Sequence, residues 1–340
     1  MLEKMLLGTY TRRESKGIYS LVLDTDKEEL IDLTLETEEN SPTYLARSKK
    51  GNVYTVTSVD GEGGIGAYDS ALTFLNAVTE EGAPLCYVAV DEARHLAYGA
   101  NYHKGEVNVY KILTDGSLQL TDAIFHDEPV GPHENQDRAH AHYSDLTPDN
   151  RLIVCDLGTD RVYTYDVSDE GKLTEVATYL APAGTGPRHL VFHPNTHYAY
   201  LFGELDSTVT VLSYEASTGT LTELQKLSTL PEDFEGFNGG AAIRISSDGR
   251  FVYLSNRGHN SIAVFAISED GAKVTFVQHI STEGDHPRDF NLDPTEKFVV
   301  CANQNTDNLT LYRRDAENGT LTLIKKDIYA PECVCVLFEK

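Results

Sequence analysis

One unit recurs along this chain: an apolar strand, a turn rich in Pro, Asp, Ser and Gly, a second apolar strand ending at a fixed position, then two more β-rich segments. The match is clearest between LTPDNRLIVCD at 146–156, ISSDGRFVYLSN at 245–256 and LDPTEKFVVCAN at 292–303. The strands that follow also align (RVYTYDV at 161–167, SIAVFAI at 261–267), as do the Gly-led fourth segments GKLTEV at 171–176, GTLTEL at 219–224 and GTLTLI at 319–324. The residue ending the second strand marks each unit: Ser58, Asn101, Asp156, Gly203, Asn256 and Asn303. Four strands every 43–55 residues or so is the period of a propeller blade, which cannot bury its faces alone and stacks on its neighbours.

The ends of the chain complete the count. Residues 1–36 supply three strands with no first strand, and 332–340 supply a first strand with no followers. Joined, they make one blade and leave no exposed sheet edge. The expectation is an all-β chain forming a single seven-bladed β-propeller over 1–340, with four-stranded blades and the last closed by both termini. No Trp is present for a Trp-Asp repeat. No amphipathic run is long enough for alternating βα units.

The net charge of −25 argues against sequence-independent binding of nucleic acid or anionic membrane. No stretch approaches a membrane span, and the first apolar run is short and interrupted by Glu3, so a cytoplasmic protein is expected. The odd set Cys86, Cys155, Cys301, Cys333 and Cys335 reads as reduced thiols, mostly in the core.

The repeat also aligns the loops. The segment entering the first strand and the segment leaving the second lie at one end of every blade, the end expected to surround the mouth of a central channel. Just inside the first strand stand His142 (after His140), Arg188 and Arg288, with Ala241 in blade five. One position past the marker stand Tyr102, Leu157, Glu204, Arg257 and Gln304. Register alone thus gathers His140, Arg188, Glu204 and Arg257 as candidate catalytic residues. His142, Tyr102, Asn256, Arg288 and Gln304 join them as candidate substrate-binding residues. The insertion at 126–139 lengthens one unit at the same end, as a lid, a wall or a solvated loop.

Along these segments the sequence resembles the propeller-type lactonases, which include bacterial 6-phosphogluconolactonases and fungal carboxy-muconate lactonizing enzymes. The resemblance runs through GTYT at 8–11, GIY at 17–19, ANY at 100–102, HAH at 140–142, GPRH at 186–189, SNRG at 255–258 and PRDF at 287–290. It implies an active site on His140, Arg188, Glu204 and Arg257, no cofactor or metal, and a small anionic lactone as partner, most simply 6-phosphogluconolactone of the pentose phosphate pathway.

Lactone hydrolysis needs an activated water, a stabilised oxyanion and a proton for the leaving alkoxide. His140 or Glu204 suits the base, and two permanently cationic arginines suit an oxyanion or a phosphate. No Gly-x-Ser-x-Gly nucleophile is present. Three other readings stand beside this one. One is a zinc site on His133, Glu134, His140, His142 and Glu204. Another is a cycloisomerase for a muconate-like diacid. The last is a non-catalytic propeller binding a protein partner, for which a flat apolar mouth is expected.

Overall fold

The computed structural model describes residues 1–195 and 197–339, and no helix occurs among them. The strands form seven four-stranded antiparallel sheets, the blades of a seven-bladed β-propeller. Blades one to six cover 45–81, 87–125, 141–180, 187–228, 239–281 and 287–329. Blade seven unites the termini: Cys333–Phe338 pairs with Leu2–Thr9, which leads into Gly17–Asp24 and Glu29–Glu38. Met5 lies opposite Phe338, and Leu7 opposite Val336.

Within a blade, burial falls from the inner strands to the outer one. Leu152–Asp156 is buried at every position, whereas Leu173–Leu180 has only exposed and half-buried positions, alternating from Val176 onward. A strand covered on both faces reads as a continuous apolar run, and one covered on a single face alternates. That difference is why the second strands carry the strongest sequence signal.

Two compact units partition the chain: Met1–Thr43, Val191–Ser213 and Glu223–Lys340 form one, and Tyr44–Leu190 with Tyr214–Thr222 the other. In the first unit, Leu7, Leu23, Val300, Leu311 and Val336 pack blades six and seven together, and Val209, Ile243, Val252 and Phe265 do so for blades four and five. In the second, Tyr54, Ile65, Val88 and Tyr110 join blades one and two. Each such side chain contributes roughly 1.5–3 kcal/mol by leaving water.

A tyrosine of the second strand adds a polar tie between blades. Tyr54, Tyr200 and Tyr253 donate to the carbonyls of Gly116, Gly271 and Gly319 in the next blade's last turn. Those glycines have φ of 92°, 82° and 76°, a backbone that strains other residues. The Gly-led fourth segments of the repeat follow from this turn.

Candidate active site

In the second unit the site is built on the blade-three marker. Asp156 is fully buried. Its Oδ1 accepts the backbone N–H groups of His140 at 2.9 Å and Thr159 at 3.0 Å. Its Oδ2 accepts Nδ1–H of His126 at 2.6 Å, while His126 Nε2 accepts the Tyr165 hydroxyl at 3.0 Å. Burial pushes the Asp156 carboxyl up, but His126 and the two amides outweigh it and hold it below the usual range. Asp156 thereby fixes the backbone where His140 enters the blade.

His140 is oriented by three contacts. Its ring stacks on Tyr102 with centroids 4.1 Å apart and 11° between planes. Nδ1–H donates to the Tyr102 carbonyl at 2.7 Å, which leaves Nε2 as the nitrogen able to exchange a proton. Nε2 lies 2.9 Å from Oδ1 of Asp137. Hydrogen bonding to Arg138, and to His140 behind it, holds the Asp137 carboxyl below its ordinary range.

Asp137 belongs to the 126–139 insertion, which is tied down rather than loose. Gln136 is buried, donates to the Leu157 carbonyl and accepts the amide of His133. The insertion thus forms a wall beside His140 while the Asp137 side chain stays 57 % exposed.

His142 shares the Tyr102 ring with His140, and Arg188 connects to His142 through His189. The Tyr102 ring that stacks on His140 meets His142 edge-on at 5.9 Å, so one ring serves both histidines. His142 packs on His189 at 5.1 Å, and Arg188 Nη1 donates to His189 Nε2 at 3.4 Å. His189 also touches Tyr44, Tyr87 and Tyr143 and floors this part of the site. His193 is a turn residue outside this cluster, bonded to Gly249 and Asn195.

In the first unit, Glu204 Oε2 pairs with Arg257 Nη2 at 3.0 Å. Arg257 also donates to the carbonyls of Gly240 at 2.7 Å and Gly239 at 3.3 Å. A Cβ on Gly239 would stand 3.1 Å from Arg257 Nη2, so glycine makes room for the guanidinium. Among the described residues, Arg257 Nη1 has no partner. Asn256 is fully buried, with its amide engaged by Thr229 and Asn238. It braces the loop and offers nothing to a ligand. Gln304 buries an Oε1 with no partner among the described residues, an acceptor suited to a sugar hydroxyl.

A backbone irregularity explains the first-strand column. The register shifts between Ala141 and Tyr143 and between Pro287 and Asp289, so His142 and Arg288 each occupy a β-bulge. A bulge turns one side chain away from the strand's alternation and is frequent beside binding sites. Blade five has the same shift, occupied by Ala241 and Ala242. In blade two the amide of Cys86 and residue Tyr87 both face Ala100, which adds Cys86 to the column. The end-of-strand column likewise gains Tyr10, because Thr9 faces Cys333 as Asn303 faces Pro287.

All five cysteines are free, with Cys86 half-buried and the other four buried. Among the described residues no group of three or more His, Cys, Asp and Glu side chains has a metal-binding arrangement.

The seven-bladed β-propeller lactonase family matches residues 4–338. The chain belongs to that family. Among lactonase-family relatives, the 6-phosphogluconolactonase of Bacillus subtilis is 43% identical over 339 residues, 98% of this chain and 97% of that one. A protein from Lactobacillus plantarum of known crystal structure is 53% identical, with a TM-score of 0.98 and full coverage of both chains. The periplasmic gluconolactonase of Pseudomonas aeruginosa is 29% identical, with a TM-score of 0.94 over 100% of this chain and 99% of that one.

Proposed function

We propose that this lactonase-family protein hydrolyses a sugar lactone in the cytoplasm, 6-phosphogluconolactone above all, giving 6-phosphogluconate for the pentose phosphate pathway. The observation that carries the reading is the state of His140. With Nδ1–H held on the Tyr102 carbonyl, Nε2 carries the second ring proton while it faces the Asp137 carboxylate, and it becomes the base once that proton has passed to solvent. Asp137 occupies Nε2 in the resting arrangement, and its exposed position lets substrate and water replace it. Nε2 removes a proton from water as the water oxygen bonds to the lactone carbonyl carbon. The oxyanion then collapses, the ring C–O bond breaks, and the imidazolium returns the proton to the leaving alkoxide.

Arg257 and Arg188 supply positive charge for the oxyanion. Glu204, already paired with Arg257, orients that guanidinium and is not the base. His142, Tyr102 and Gln304 line the sugar. The relatives' names support the substrate class: one acts on 6-phosphogluconolactone and one on gluconolactone.

Substitution at His140 tests the assignment. A general base contributes about 10²–10⁴ in rate. His140→Gln should therefore lower kcat at least a hundredfold, with Asp137→Ala costing less than tenfold. If His140→Gln turns over near the parent rate, or if Asp137→Ala is the more damaging change, His140 is not the base.

A further inference from the structure

Blades six and seven of the first unit hold a second cationic feature. Arg12 stands over the Tyr10 ring at 4.1 Å, and Arg288 approaches the same ring at 5.7 Å. Among the described residues, neither guanidinium makes a hydrogen bond or ion pair. That is unusual in a chain with 53 acidic and 28 basic side chains, where a counter-charge is rarely far away.

The neighbouring Arg13 shows the ordinary outcome. It pairs with Asp307 at 2.7 Å and donates to the Gln304 carbonyl. Two like charges drawn to one ring repel each other, and cation–π attraction offsets this only in part at an exposed site. An anion placed between them would remove the repulsion.

The scaffold is built to hold this arrangement. The buried carboxylate of Glu332 accepts the backbone amides of Arg12, Arg13, Glu14 and Ser15. Four amides on one carboxylate fix the loop that presents Arg12 before any ligand arrives. Arg288 is aimed by its β-bulge, in the same column as His142. Tyr10 occupies the blade-seven place that Glu204, Arg257 and Gln304 occupy in their own blades.

We infer that Tyr10, Arg12 and Arg288 form a subsite for the phosphate of a phosphorylated sugar lactone, and so set the preference for phosphorylated over unphosphorylated substrate. The inference rests on the lactonase reading for its substrate. It frees Arg188 and Arg257 for the oxyanion, since the phosphate has its own cations. Planar guanidinium donors match phosphate oxygens, and both are gathered on the one Tyr10 ring.

Calorimetric binding of 6-phosphogluconate, with gluconate as control, reads the subsite without turnover. The parent protein should bind the phosphorylated acid at least tenfold more tightly. Arg12→Gln and Arg288→Gln should each reduce that discrimination about tenfold, and the double variant further, with the ratio of kcat/KM for 6-phosphogluconolactone over gluconolactone falling in step. Arg12 is exposed and outside the core, so its variant tests the subsite even if Arg288→Gln proves unstable. Discrimination that survives both changes overturns the inference. Arginine-dependent binding of 6-phosphogluconate with no hydrolysis of either lactone sustains the subsite and overturns the hydrolase.

Discussion

Replacing Glu106 by Gln should flatten the dependence of stability on pH. Glu106 opens the strand Glu106–Ile112, is fully buried, and accepts a hydrogen bond from Asn108 at 2.8 Å. Lys104 sits 3.0 Å from Glu80 but 3.8 Å from Glu106, so the surface carboxylate takes the better share of that cation. Burial, and then the Glu80 carboxyl, raise Glu106 from 4.5 to about 7.

The sign follows from proton counting. Between pH 4.5 and 7 the unfolded chain gives up this proton and the native protein keeps it, so native stability falls as pH rises through that window. For one such group the loss is about 3 kcal/mol. Glu3, raised to about 7 by burial and by Asp293, adds a similar loss. Urea denaturation at pH 5 and pH 8 measures the difference. E106Q should shift that difference by about 3 kcal/mol in favour of pH 8, mostly by gaining stability there. An E106Q variant with the parent's full difference would refute the reasoning.

Asp156→Ala strands the His140 and Thr159 amides and the His126 ring, and should cost about 3 kcal/mol in denaturant unfolding; a loss below about 1 kcal/mol would show these bonds are readily replaced. Gly239→Ala brings a methyl to 3.1 Å from Arg257 Nη2, and should lower lactone turnover about tenfold while changing stability by only ~1 kcal/mol. Unchanged turnover would mean that Arg257 does not need its present position.

The architecture was legible because its signals are local and repeated. Two of the markers cap the turn that follows them, Asn101 for His103 and Lys104 and Asp156 for Thr159, so in those blades the marker comes with the turn. The incomplete first and last units complement each other, which exposed the shared blade. The residue types of the candidate site followed from the same register.

Side-chain commitments did not. Nothing in the letters SNR at 255–257 shows that Asn256 is spent on Thr229 and Asn238 while Arg257 keeps one nitrogen unengaged. The bulges at His142 and Arg288 are one-residue shifts in pairing, invisible until partner strands are aligned. Asp137 and Arg12 have no counterpart in other blades, so a reading built on repetition passed over them. An unrepeated charged residue next to an aligned column was the available signal for both.

One time course tests the hydrolase most directly: freshly prepared 6-phosphogluconolactone followed by NMR at a pH where its spontaneous opening is slow, with and without the protein and with chelator present. With the protein, ring opening should be accelerated by orders of magnitude and be unaffected by the chelator. A curve that overlays the protein-free control would contradict it.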